Sequence, residues 1–163
     1  MMSWCNFLHG GSVCVAVSMT LWSVPLPELS LFMGQPVGDG PRTEPEWVDY
    51  IAVQDFGLAE VDGKVEGVEV SLFNGKRVDL VWNGYAIEAD WASKAPEGIG
   101  QSLYYAAVTH RKPGLLLLLK KSSDVRYVEQ ALVVCRRNTP EIRVWAYDTK
   151  AKEFLQVSDR PRQ

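Results

Sequence analysis

The chain has 163 residues, 47% hydrophobic and 23% charged, with 13 Gly and 9 Pro. This suits one globular domain and excludes a disordered, collagen-like or low-complexity chain. Its three cysteines (Cys5, Cys14, Cys135) are odd in number and lack zinc-ligand spacing, which excludes a self-contained disulfide framework. The net charge of −3 hides an asymmetry: residues 1–97 carry 14 acids and five bases, residues 98–163 six acids and twelve bases. Carboxylates suit a cation and a basic surface suits a polyanion, although ordinary solvated surface also accounts for such a split.

Residues 1–27 contain no Asp, Glu, Lys or Arg. Val13–Val24 has about the length of the apolar part of a signal peptide, but no basic segment precedes it and no small-residue cleavage site follows. No stretch reaches the ~18 strongly apolar residues of a membrane span. Residues 1–42 therefore read as an N-terminal apolar segment and linker, poorly ordered or loosely packed, and residues 43–163 as the domain. Met19 and Met33 are alternative starts. The expectation is a cytoplasmic chain, with secretion the alternative if residues 1–30 act as a signal peptide.

Thr43-Glu44-Pro45-Glu46 is a capping-box pattern with Pro in the first turn. It opens a helix over Glu44–Phe56, and Gly57 stops it. Asp62-Gly63, Asn74-Gly75 and Asn83-Gly84 favour the positive φ of hairpin turns. They divide the next stretch into Ala59–Val61, Val65–Phe73, Arg77–Trp82 and Tyr85–Trp91, the last three forming an antiparallel meander. A second helix is expected over Pro96–Thr109, with Ser93 as a candidate N-cap. Leu115–Leu119, bounded by Pro-Gly and Lys-Lys, fits a strand buried on both faces. A third helix over Val125–Arg137 and a hairpin of Ile142–Tyr147 with Glu153–Val157 complete an α/β order with a central mixed sheet flanked by helices.

Glu88 and Asp90 stand two apart on one strand and so point to one face, with Ile87 and Ala89 on the other. Asp79 lies across the hairpin. Converging carboxylates repel unless a cation joins them, and hard oxygen donors suit Mg²⁺ or Mn²⁺. Solvated acids on a sheet face are the plainer alternative. Lys94 follows, an ammonium able to stabilise developing negative charge. Glu97, Gln101 and Tyr105 recur at i, i+4, i+8, which predicts a polar stripe on the second helix. Trp82 and Trp91 read as packing residues, and His110 as a helix-terminal residue facing the dipole.

Asp79, then Glu88-x-Asp90, then Gln101-x-x-x-Tyr105 resemble the PD-(D/E)xK nuclease superfamily, and within it the RecB-like branch that carries a Q-x-x-x-Y motif. The resemblance covers about Glu44 to Lys120. It implies a restriction-endonuclease-like αβββαβ core and a Mg²⁺- or Mn²⁺-dependent nuclease hydrolysing phosphodiester bonds in DNA, with RNA as a further substrate class. It makes Asp79 and Glu88 metal ligands and puts Gln101 and Tyr105 in the substrate groove. Glu46 would match a further acid that some members place on the first helix. The sequence departs from the family at Asp90, where the motif has Lys. Asp90 then adds a third metal carboxylate and Lys94 serves as a relocated lysine, or the fold binds nucleic acid or a protein partner without cutting. An exported protein with solvated acids is the remaining alternative. Oligomeric state is not legible.

Overall fold

The structure, a computed structural model, describes residues Gly40 to Gln156. The expectations for residues 1–39, and for the end of the last strand at Val157, lie outside the described residues. Helix α1 spans Glu44–Gln54. A two-stranded ribbon, β1 (Glu60–Val61) with β2 (Lys64–Val65), precedes the meander of β3 (Val68–Ser71), β4 (Arg77–Trp82) and β5 (Tyr85–Trp91). A 3₁₀ turn, Ala92–Lys94, leads into α2 (Ala95–Thr109). Strand β6 (Lys112–Leu119), helix α3 (Val125–Cys135), β7 (Arg143–Asp148) and β8 (Glu153–Phe154) complete the order.

Six strands form one mixed sheet in the order β3-β4-β5-β6-β7-β8. The meander pairs antiparallel, β5, β6 and β7 run parallel, and β8 turns back antiparallel on β7. The two parallel connections pass through α2 and α3, and both helices lie on one face. The five leucines of β6 show the layering. Leu116 and Leu118 pack with Trp47, Val48, Ile51 and Ala52 of α1. Leu115, Leu117 and Leu119 pack with Ala95, Val128 and Ala131 of α2 and α3. All five are completely buried, so the run is apolar because both of its faces are covered.

The capping box at Thr43 forms as read, with Glu46 accepting from the backbone N–H of Thr43 at 3.2 Å and of Arg42 at 2.7 Å. Several boundaries differ from the sequence reading. The expected strand Val65–Phe73 is split, because Gly67 takes a φ of 78° and its Cα lies against the Val81 carbonyl, where a Cβ would stand 2.6 Å from the oxygen. The second helix is capped by Lys94 instead of Ser93, since the 3₁₀ turn takes up Ser93. The first helix ends at Gln54, with Asp55 as its cap. Trp82 is a packing residue: it stacks on Phe56 at 4.4 Å and donates its indole N–H to the Phe56 carbonyl. His110 closes α2 in the left-handed region. Among the described residues no helix is long and apolar enough to cross a membrane.

Candidate functional site

Strand alternation puts Glu88 and Asp90 on the α2 face of β5. Their parallel partners on β6 are Leu115 and Leu117, which face the same helices. Helix α2 crosses directly over them at Gly98, where an added Cβ would lie 3.7 Å from Asp90 Cβ, 3.8 Å from Glu88 Cγ and only 2.7 Å from Leu115 Cδ1. Gly98 is a residue that the sequence reading passed over. Its missing side chain lets the helix backbone come down onto the carboxylate-bearing strand. The result is two acids in a covered position, Glu88 at 6% and Asp90 at 4% exposure.

Asp79 reaches the pair through a break in the sheet. The Cα pairing of β4 with β5 runs from Trp82↔Tyr85 to Leu80↔Ile87 and goes no further. Beyond it, the Ala89 N–H is taken by the Asp79 side chain at 2.8 Å. Glu69, opposite Asp79 in the β3–β4 ladder, sits at a φ of 53°, a left-handed conformation costly for a residue with a Cβ. The alternation of faces shifts at this level. Val68 and Leu80 pack toward α1, whereas Val70 and Val78 pack with Ala86 and Tyr105 on the other side. The kink parts β4 from β5 where the acids gather, and a carboxylate replaces a backbone carbonyl as acceptor.

A fourth acid joins from α1. It is Glu44, the first residue of the helix, and Glu46 is not involved: its carboxylate is held outside by the capping box, which lowers its pKa. Glu44 is pushed up to about 7, first by burial and then by the charge of Asp90, with which it shares a hydrogen bond. Glu88 is pushed up to about 9, again first by burial and then by Asp79, with smaller contributions from Asp90 and Glu44. Burial also raises Asp79, against the lowering effect of the Ala89 N–H. Desolvation and like charge therefore act together on this cluster. Lys94 brings a cation to its rim, with Nζ 3.6 Å from Asp90 Oδ1 and a half-exposed side chain. A cleft of about 80 Å³ opens between α1 and the kinked strands, with Glu44, Glu69 and Asp79 among its walls. That volume is enough for several waters.

The other two site residues fall differently from the predicted stripe. Gln101 is exposed on α2, but Tyr105 is 6% exposed and packs against Val78 and Ala86. Its ring is drawn inward because α2 lies flat on the sheet, which leaves only the hydroxyl near a polar partner, Gln101 Oε1, at 3.5 Å. The Tyr105 hydroxyl is also raised by burial and by the charges of Glu88 and Asp79. Tyr105 thus bridges from the acids to the exposed amide.

Among the described residues, no three His, Cys, Asp or Glu side chains stand together as a ready-made metal cage. The acids rest instead as two hydrogen-bonded pairs, Glu44 with Asp90 and Asp79 with Glu88. The donor set nevertheless fits a hard divalent cation, being carboxylate oxygen throughout. Moreover, Glu88 Oε2 is buried without a hydrogen-bond partner, a state that costs free energy until something compensates it. No protein-family model, no curated protein and no solved structure matches the chain.

Proposed function

We propose that this chain is a divalent-cation-dependent nuclease that hydrolyses phosphodiester bonds in DNA, built on a restriction-endonuclease-like core. The observation that carries the reading is the buried Glu88 carboxyl, whose Oε2 lacks a hydrogen-bond partner, among Asp79, Asp90 and Glu44. Burying Glu88 and Asp90, with the half-buried Asp79 and Glu44 crowding them, is unfavourable without a purpose for them. The element order from α1 to β6, with Asp on the second meander strand, Glu on the third and Gln on the next helix, supports the same reading.

Asp79, Glu88 and Asp90, with Glu44 from the first helix, would hold Mg²⁺ or Mn²⁺. When bound, such a cation supplies Lewis acidity, polarising a phosphoryl oxygen and making water acidic near neutral pH. The chain's own groups do the rest. Lys94, half-exposed beside Asp90, would neutralise charge that develops on the phosphate. Tyr105 turns its hydroxyl toward Gln101 Oε1, which leaves the Gln101 amide N–H groups free to donate to a backbone oxygen. Gly98 keeps the helix low, so that water is excluded from the Glu88 side of the cluster. RNA offers the same phosphodiester and fits the same chemistry.

A second reading, nucleic-acid binding without cleavage, draws on Asp90 standing where the family motif has Lys and on the Lys94 ammonium being engaged by that same Asp90. Incubating the protein with plasmid and Mn²⁺ separates the two. Cleavage should fall by about 10²–10³-fold or more in Asp79→Ala and Glu88→Ala, as expected when a charge-stabilising group is removed. Melting temperature with and without Mn²⁺ in the absence of DNA gives an independent measure: a rise in the native chain that both variants lose. DNA binding without cleavage would favour the second reading, and neither binding nor a Mn²⁺ response would end both.

A further inference from the structure

The β3–β4 hairpin ends in an unusual surface. Leu72, Phe73, Asn74 and Gly75 form a turn in which the Gly75 N–H donates to the Leu72 carbonyl and the Leu72 N–H to the Lys76 carbonyl. Gly75 supplies the left-handed position that such a loop requires, with a φ of 77°. Phe73 stands at the tip with 88% of its surface exposed, the largest exposure among the described large hydrophobic residues. A bare phenylalanine ring gains nothing from water, and burying it is worth about 1.5–3 kcal/mol.

The tip is held in place. The Asn74 side-chain amide donates to the Tyr104 hydroxyl in a short contact, and Asn74 Oδ1 accepts from the Lys76 N–H. Lys76 Nζ lies 4.8 Å from the Tyr104 ring centroid. Tyr104, itself 39% exposed, neighbours Gln101 one turn back on α2 and meets Tyr105 edge-on at 5.7 Å. An aromatic and cationic surface thus runs from the Gln101–Tyr105 end of the acid site to the hairpin tip. The hairpin lies at the same end of the sheet as the acids, because β4 starts there and β5 finishes there.

We infer that Phe73 and Tyr104 form a stacking platform for unpaired bases, with Lys76 meeting the adjoining phosphate, so that the chain selects single-stranded nucleic acid. The inference rests on the nuclease reading for what lies at the other end of the surface. Aromatic rings beside a cation on a rigid support fit stacked bases, since every base offers a π face. A protein partner would call for a contiguous aliphatic patch. Here the residues that follow Phe73 at the surface are Asn74, Gly75 and Lys76, and the exposed valines lie on other elements, Val61 on β1 and Val125, Val133 and Val134 on α3.

The test uses the full chain in EDTA, which blocks cleavage, with fluorescein-labelled oligothymidylate and a duplex of equal length followed by anisotropy. The single strand should bind more tightly than the duplex. Phe73→Ala and Tyr104→Ala should each weaken it by about tenfold. Phe73→Trp should restore binding, whereas Phe73→Leu, equally apolar but without a π face, should not. Because Phe73 is exposed, melting temperature should stay unchanged and certify the fold. Binding insensitive to Phe73, or restored by Leu, overturns the platform and leaves the nuclease reading standing if plasmid is still cut. Phe73-dependent self-association in sedimentation makes a second copy the occupant and overturns it as well. Absence of all nucleic-acid binding overturns the platform, and with no cleavage and no Mn²⁺ response it ends the nuclease reading as well.

Discussion

Strands β5 and β6 lie side by side in parallel register, with Glu88 opposite Leu115 and Asp90 opposite Leu117. Both strands are covered by α1 on one face and by α2 on the other, and their central residues are almost equally buried. Yet β6 is apolar from Pro113 to Leu119, while β5 turns two acids toward the same helix against which its neighbour turns leucines. Position in the fold therefore does not account for Glu88 and Asp90. A leucine would fill either place at lower free energy, and β6 is the demonstration. On the proposed reading, β5 is the strand on which stability is given up for chemistry.

Exchanging the two strands' residues breaks the comparison most severely in one direction. Leu115→Glu replaces a completely buried leucine beneath Gly98 and adds a third acid beside Glu88 and Asp90, losing about 2–5 kcal/mol of packing and leaving an uncompensated buried carboxyl. That exceeds much of the stability of a small domain, so the variant should be found unfolded by circular dichroism. The reverse exchange, Glu88→Leu, should fold and raise metal-free stability at pH 8 by about 1–3 kcal/mol in urea titration, as when a buried polar group with an unpaired oxygen gives way to an apolar residue of similar size. It should also lose the Mn²⁺ response. If Glu88→Leu proves less stable than the native chain without metal, the two strands are not equivalent environments and the argument from β6 fails.

Acidity sharpens the same contrast without mutation. Glu88 is pushed up to about 9 and Glu44 to about 7, against an ordinary value of 4.5. Both carboxyls bind a proton more tightly when folded than when unfolded, so folding is favoured by their protonation. Their contribution is fully present below about pH 4.5 and is lost as pH rises through 7 and then 9. In EDTA the melting temperature should therefore fall between about pH 6 and pH 9. Mn²⁺, competing with protons for the same oxygens, should restore more of it at the upper end. Glu88→Gln should flatten the upper part of the fall. A native curve that rises across this range would show that the cluster is stabilised as charged groups.

Much of this arrangement was legible in the sequence, and the reasons are physical. Period-two alternation fixed Glu88 and Asp90 on one face and Ile87 and Ala89 on the other, because a strand has no other way to place them. Five consecutive leucines between Pro-Gly and Lys-Lys fitted a strand covered on both faces. The Asn-Gly pairs marked turns through their tolerance of positive φ. What escaped depended on pairing across elements. Nothing local in Val68-Glu69-Val70 announces a left-handed Glu69, and without that kink regular alternation does not predict how Asp79 leaves the ladder to reach Ala89. Tyr105 looked polar at helical spacing, but the flat seating of α2 on the sheet, made possible by Gly98, turned its ring into the core.

The first helix contains the smallest and most readable case, the choice between Glu44 and Glu46. The capping box itself held the answer: an N3 glutamate that accepts from the Thr43 N–H is tied to its own helix end and cannot also reach the sheet. The acid at the first helical position is left to face Asp90. Thr43→Ala should cost about 1 kcal/mol through loss of the cap, and Glu46→Ala should lower the melting temperature slightly, both with cleavage per folded molecule unchanged. Glu44→Gln, which leaves the box intact, should keep or raise stability at pH 8 while weakening Mn²⁺ affinity in calorimetry. Reversal of these outcomes, with Mn²⁺ affinity following Glu46, would mean that the helix turns its third residue to the acids, and the cluster around Glu88 would then lack its fourth member.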